Sequence, residues 1–356
     1  MIKYLGSKRR LLPLLVAVIR SLPGTRSVAD LFSGTARVGH ALKAEGLHVL
    51  ANDHNAYAAT LARAYVQADR EELADEAARL LRELDALPGR PGWFTETLCV
   101  RSRFLRPENG ARVDAIRDAI ERLAPPPELR AVLLASLMEA ADRVDSTTGV
   151  QMAYLKEWAP RSSKRLTLRL PALLPRAAHG KGEAHELDAG VAAARLSADV
   201  AYLDPPYNQH KYLGNYHVWE SLVRWDRSEV YGTACKRADC RTRASAFNSR
   251  TGIRDALARV VRDVDARHLV VSFSDEDSLA RAELEALLAT RGRVSVLARG
   301  QRRYVGAQIG IYNPRGEKVG RAGHLRNTEY VFVATRDAWQ PPALPEAAVP
   351  AIAAVS

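Results

Sequence analysis

Apolar and polar positions along the chain switch between helical and strand periods, and the switches mark the elements. Leu11 to Ile19 is apolar enough for a buried helix, which Pro23-Gly24 ends. Val28 to Phe32 then reads as a first strand, Ser33-Gly34-Thr35 as a tight turn, and Arg37 to Ala44 as a helix closed by Gly46. Leu47 to Ala51 forms a second strand ending at Asn52-Asp53, and Asn55 to Ala68 the next helix. Strand, helix and strand in so short a stretch make a βαβ unit, which implies a parallel sheet.

From about Arg70 to Arg143 the strand signals stop. Arg70 to Leu84, Ala111 to Arg122 and Glu128 to Arg143 carry helical patterns, separated by Pro88-Gly89-Arg90-Pro91-Gly92 and Pro125-Pro126-Pro127. Strands resume with Val200 to Leu203, Leu269 to Ser274, Val294 to Leu297 and Tyr330 to Ala334. The pattern predicts an α/β fold with a helical insertion. Asp226 to Arg250 is polar and basic, and is expected to be a mobile loop. The stretch from Trp339 is rich in Pro and Ala and is expected to be disordered.

Composition narrows the class. The 356 residues carry 52 Lys and Arg against 41 Asp and Glu, a net charge of +11 with a pI near 9.7. That excess favours a polyanionic partner, nucleic acid before membrane; an Arg-rich coding bias gives the same balance without one. Three cysteines are too few for a disulfide framework, and Cys235 and Cys240 have no second pair to complete a zinc site, so no metal is expected. No apolar run approaches the ~20 residues that span a bilayer, and the N-terminus lacks a signal-peptide core. A cytoplasmic, soluble protein is expected.

Asp204-Pro205-Pro206-Tyr207 carries the most specific chemistry, following the short apolar run from Asp199 to Leu203. An aromatic amine is a poor nucleophile because its lone pair is delocalised into the ring. Asp204 accepting one N–H and the Pro205 carbonyl accepting the other would let that lone pair localise. The two prolines fix φ and remove N–H donors, and the residue before a proline is driven to an extended conformation. Tyr207 offers a flat face for a heteroaromatic base. A plain strand-ending turn has the same composition.

Asp30 to Gly39 lies where a doubly wound sheet binds its nucleotide, at the carboxyl end of the first strand. Gly34 would allow close backbone approach, and Asp53, ending the second strand, stands where an acidic residue takes ribose hydroxyls. A dinucleotide fingerprint wants G-x-G-x-x-G, but Phe32 replaces its first glycine. S-adenosylmethionine, which has a sulfonium and no phosphate to cradle, suits the sequence better.

Tyr4-Leu5-Gly6-Ser7-Lys8, Asp30-Leu31-Phe32-Ser33-Gly34, Ala51-Asn52-Asp53 and Asp204-Pro205-Pro206-Tyr207, in this order, resemble the motifs of the Dam-type (alpha-group) DNA adenine-N6 methyltransferases. Asn208, Tyr212, Asn215-Tyr216-His217 and Glu220, with Ala141 to Val144 and Ala153 to Lys156, resemble the subset found in restriction–modification systems. The resemblance implies a Rossmann-like S-adenosylmethionine-dependent methyltransferase fold with a mainly helical target-recognition insertion. Residues 1–69 and 176–338 would form the catalytic domain, 70–175 the insertion and 339–356 a tail. Double-stranded DNA would be the partner, with a cognate restriction endonuclease as a second one.

The same resemblance assigns residues. Tyr4, Gly6 and Lys8 would border the methionine end of the cofactor; Lys8 would meet its carboxylate, or else a DNA phosphate or solvent. Asp30, Phe32 and Gly34 would shape the methionine and ribose pocket, and Asp53 would hold the ribose. Glu183 stands where the family usually has an aspartate for the cofactor's adenine, one methylene away from the pattern. Asp204, Pro205, Pro206 and Tyr207 would act on the target base. Arg101, Arg103, Arg106 and Asn109 are candidates for base edges, Lys164 and Arg165 for phosphates, and Lys236, Arg237 and Arg241 for further DNA contacts. Each of these clusters also reads as a solvated face. Cytosine-N4 in DNA, guanine-N2 in ribosomal RNA and a catalytically silent nucleic-acid-binding subunit remain the competing readings.

Overall fold

The structure is a computed structural model, and it describes residues 1–6, 8–206, 212–243, 245–249, 251–274, 279–302, 311–312, 318–320 and 326–342. The chain opens with α1 (Leu12–Ser21), β1 (Ser27–Asp30), α2 (Arg37–Ala44), β2 (His48–Asn52) and α3 (Ala56–Ala62). The expected helix from Asn55 to Ala68 thus keeps α geometry only to Ala62 and widens into a π turn over Arg63–Gln67. Then come α4 (Arg70–Ala86), α5 (Pro107–Leu123) and α6 (Pro127–Val144), the last two each with a proline in the first turn, where its missing N–H costs nothing.

A three-residue strand, β3 (Glu183–His185), follows, then α7 (Ala189–Arg195) and β4 (Ser197–Leu203). After β4 lie α8 (Tyr212–Asn215), α9 (His217–Arg224), the small hairpin of β5 (Val230–Tyr231) and β6 (Lys236–Arg237), and α10 (Ile253–Asp263). The remainder is β7 (Asp265–Ser274), α11 (Arg281–Leu288), β8 (Arg293–Arg302), the short pair β9 (Ile311–Tyr312) and β10 (Lys318–Gly320), and β11 (Arg326–Thr335).

Seven strands form one sheet in the order β3-β2-β1-β4-β7-β11-β8. The pairs from β3 to β7 are parallel, but β11 runs antiparallel between β7 and β8. The sheet is therefore mixed rather than wholly parallel. Strands buried on both faces alternate between two cores. Val28, Val200, Tyr202 and Val270 pack into the one that holds α1, α2 and α3. Ala29, Leu31, Ala201, Leu203, Leu269 and Val271 pack into the one under α7, α10 and α11. Ile116, Leu133 and Leu137 of the helical segment belong to the first core, so that segment packs directly against the seven-stranded sheet.

Two other expectations change. The basic segment after Asp226, expected as a loop, carries a hairpin of two-residue strands and 3-10 turns. At the C-terminus Trp339 still docks, its indole Nε1 donating to Ser21 Oγ at 2.9 Å; residues 343–356 of the expected tail lie outside the described residues. All three cysteines are free and buried. Among the described residues no helix is long and apolar enough to cross a membrane, and no group of His, Cys, Asp and Glu is placed to hold a metal.

Candidate active site and cofactor cavity

The strand order reverses between β1 and β4, and the crevice outside their carboxyl ends is where open α/β sheets bind ligands. Asp30 closes β1, and Asp204 follows the last residue of β4. Asp204 is held by Ser272 and Lys8, and each of these is bonded in turn to a further side chain. Ser272 Oγ of β7 donates to its Oδ1 at 3.0 Å, and the Tyr202 hydroxyl lies 2.9 Å from the same Ser272 oxygen. Lys8 Nζ lies 3.2 Å from Asp204 Oδ1 and 3.2 Å from Glu329 Oε2 of β11. Burial alone would lower the Lys8 pKa, but the two carboxylates outweigh it and hold the ammonium above its ordinary range. Lys8 is thus neither solvated nor turned toward an external phosphate; it is clamped between two acids. Pro205 is buried and Pro206 half-buried beside it, while Tyr207 lies outside the described residues.

Asp30 is almost wholly inaccessible, and neither carboxylate oxygen has a hydrogen-bond partner of ordinary geometry. Burial first, and then the charge of Asp204, pushes its carboxyl up to about 8, although the Phe32 and Gly39 backbone N–H groups relieve it in part. Tyr4, Gly6, Lys8, Asp30, Phe32, Ser33, Gly34, Thr35, Arg37, Val38, Tyr202 and Asp204 line one cavity. Gly34 is left-handed (φ 50°), and a Cβ there would meet the Tyr4 ring at 3.1 Å, so this turn accepts glycine for both conformation and space. Tyr4 itself stacks on both Tyr212 and Tyr216, at centroid distances of 5.2 and 4.6 Å, and those two rings lie 6.4 Å from each other.

Asp53 caps the neighbouring turn. Its Oδ2 accepts from Gly34 N at 3.0 Å and its Oδ1 from Asn55 N at 2.9 Å, which ties the end of β2 to the glycine loop. The structure does not bring Glu183 to this group. Glu183 opens the edge strand, paired with Leu50, and its exposed carboxylate lies 3.1 Å from His185 Nε2. The pairing runs on through Asn52 and His185, so the strand carries Glu183 away from the carboxyl ends where Asp30, Asp53 and Asp204 gather. Leu187 is nearer, clamped by Asn52 through bonds at 3.2 and 3.0 Å.

Asp30 and Asp204, one at the end of each central strand, thus line one cavity with the Gly34 turn and Lys8. The model of the D12 class N6 adenine-specific DNA methyltransferases matches residues 4–279. The chain belongs to this family. It is 28% identical over 342 residues to the type II methyltransferase M.NlaIII of Neisseria lactamica, covering 93% of this chain and 97% of that protein. It is 27% identical over 313 residues to M.CviAII of Paramecium bursaria Chlorella virus 1, covering 85% and 92%. M.FokI of Planomicrobium okeanokoites, 28% identical over 309 residues, is longer, and the match spans 82% of this chain and 47% of that protein.

The candidate DNA contacts of this adenine methyltransferase divide into two groups. Arg101, Lys164, Arg165 and Arg241 are exposed, and Lys236 is half-buried. Arg103 and Arg106 are half-buried against Trp158, with guanidinium carbons 4.6 and 5.1 Å from the centre of its ring. Arg165 also bonds Asp85, at 3.0 Å. Asn109 and Arg237 are corrections. Asn109 is buried and staples the insertion by donating to Ser162 O and Lys164 O and accepting from Leu166 N. Arg237 is buried, its guanidinium spent on Asp226, at 2.7 Å through two nitrogens, and on Asp239 at 3.1 Å.

Sequence reasoning also missed residues. Ser272 and Glu329 hold Asp204 and Lys8 from strands far along the chain, and no local motif marks either. Glu220, already part of the motif resemblance, is fully buried on α9 and accepts from the backbone of α3; the motif gave no sign of what it binds. His217 is buried and donates from Nε2 to the Gln151 carbonyl, 3.0 Å away, and burial pushes its pKa down to about 3, so it is neutral.

Proposed function

We propose that this methyltransferase moves a methyl group from S-adenosylmethionine to the N6 amine of an adenine flipped out of duplex DNA, as the modification half of a restriction–modification system. The carrying observation is the pair of acids at the switch point. Asp30 and Asp204 line one cavity, the first without a hydrogen-bond partner, the second clamped by Lys8 and Ser272. An unpartnered buried carboxylate fits the α-ammonium of a methionine chain, and the uncradled Gly34 turn suits a ligand without phosphate. Tyr4, Phe32 and Gly34 would then wall the methionine and ribose, and Asp53, at the edge of the same turn, would take the ribose hydroxyls. S-adenosylmethionine supplies the electrophilic methyl group on its sulfonium sulfur.

Every other step belongs to the chain. Asp204 accepts one N–H of the adenine amine and the Pro205 carbonyl the other, so the lone pair localises on N6 and points across the cavity. As N6 gains a methyl it gains positive charge, which Asp204 stabilises before taking the released proton. Lys8 and Ser272 fix Asp204 beforehand, so that charge meets an oriented acceptor with no reorganisation. Flipping costs a few kcal/mol of unstacking, which Tyr207 would offset by stacking. The 70–175 insertion would read the sequence with Arg103, Arg106 and their exposed neighbours. The relatives named as type II methyltransferases support the restriction–modification setting; a cognate endonuclease would be the partner and the cytoplasm the compartment.

The test is Asp204→Ala. Methyl transfer to DNA should fall by about two to three orders of magnitude, while S-adenosylhomocysteine binding stays largely intact. Transfer at the parental rate would refute the role.

A further inference from the structure

Glu220 lies behind the Asp53 turn and is fully buried. Its carboxylate is shared among four donors. The backbone N–H groups of Ala56 and Tyr57, in the first turn of α3, reach it at 3.3 and 3.1 Å. Arg224 Nε and Arg243 NH1 each reach it at 2.7 Å. Burial opposes its ionisation, yet these donors hold the carboxyl below the usual glutamate range.

Arg243 is the informative partner because it comes from the basic segment. Its second guanidinium nitrogen donates to the His54 carbonyl at 2.8 Å. His54 sits inside the turn whose Asp53 carboxylate binds Gly34 N of the cofactor loop. One planar group therefore joins three elements: the basic segment, α9 and the Asp53 turn. On the outer side of that segment Arg241 is exposed, stacked 3.9 Å over Tyr231, where it can meet phosphate. Arg237, by contrast, anchors the hairpin from within.

We propose that Arg243 and Glu220 are a positioning pair that couples DNA engagement by the basic segment to the geometry of the cofactor's ribose turn. This rests on the methyltransferase reading given above. The guanidinium fork has fixed geometry, so it holds the segment, Glu220 and the His54 carbonyl in one arrangement. DNA that fixes the segment therefore also fixes the Asp53 turn, whose carboxylate is bonded to Gly34 N. Binding of DNA and of cofactor then reinforce each other, and thermodynamic linkage makes the effect equal in both directions. Neither residue touches a reacting atom.

The test is calorimetry with S-adenosylhomocysteine on the full chain, with and without saturating unmethylated genomic DNA fragments. In the parent, DNA should tighten binding by about 5- to 50-fold. Arg243→Ala should bring that ratio to within about twofold of one, with DNA still bound in a filter assay, and Arg243→Lys should restore part of it. Glu220→Gln, which keeps an acceptor for α3, should also lower the ratio, and a melting curve identifies it as folded. A parental ratio of one, or a ratio unchanged in Arg243→Ala, overturns the coupling. A parent that methylates DNA but shows the unchanged ratio in Arg243→Ala defeats the coupling alone; a parent that transfers no methyl group to DNA defeats the functional reading as well.

Discussion

Asp30→Asn should make the cofactor-free protein more stable and its cofactor binding worse. Asp30 is buried with no hydrogen bond of ordinary geometry, only the Phe32 and Gly39 N–H groups nearby, and its carboxyl is pushed up to about 8. An unfolded aspartate titrates near 3.9. Because the folded value is the higher one, the stability this group allows is fully present below about pH 4 and is lost as pH rises through about 8. At 1.36 kcal/mol per unit, ionisation costs the fold about 4 kcal/mol at pH 7 and about 1.5 kcal/mol at pH 5. The asparagine removes this cost but buries an amide N–H without a partner, at about 1–3 kcal/mol. A net gain of about 1–3 kcal/mol should remain at pH 7, and it should vanish near pH 5. Cofactor binding should weaken by about 10- to 150-fold, the worth of one charge-assisted hydrogen bond. In the parent, affinity should rise with pH up to about 8, because the ammonium needs the ionised acid. Unfolding curves at both pH values and calorimetry with S-adenosylhomocysteine read all of this. A variant less stable than the parent at pH 8, or one that binds cofactor equally well, would refute the reasoning.

Asp53→Ala should weaken S-adenosylhomocysteine by roughly tenfold or more, since both the ribose acceptor and the bond to Gly34 are lost; unchanged affinity by calorimetry would remove Asp53 from that role. Arg237→Ala should cost about 2–4 kcal/mol of stability, somewhat below a wholly buried pair because Asp226 is partly exposed, and leave the salt slope of DNA binding unchanged. Arg103→Ala should instead cost about 1–3 kcal/mol of discrimination at one base of the recognition sequence, read by filter binding to singly substituted duplexes.

How much of this could be read from the chain depends on how local each signal is. Asp30, Asp53 and Asp204 end strands whose apolar runs and following Gly or Pro residues are contiguous, so motif and element were legible together. Arg37 to Ala44 forms its helix with the expected bounds. Lys8 was legible as part of a motif, but its two acidic partners were not, because Glu329 arrives on an antiparallel strand at the far end of the chain. The same strand makes the sheet mixed, and no βαβ pattern announces it. The edge strand at Glu183 is too short for a period, so only family spacing suggested a role, and its register places the side chain elsewhere. Arg237 and Asn109 have the composition of DNA contacts, but their environment is set by acids and carbonyls distant in sequence. A residue type says what a side chain can bond, and only the fold says what it has already bonded.

The central claim is methyl transfer to adenine in DNA. Incubating the protein with methyl-labelled S-adenosylmethionine and unmethylated genomic DNA, then digesting the DNA to nucleosides and sequencing the modified positions, tests it directly. The account predicts label in N6-methyladenine within one recurrent sequence context, lost with Asp204→Ala. Label in N4-methylcytosine, label confined to RNA, or adenine methylation that persists without Asp204 would contradict it.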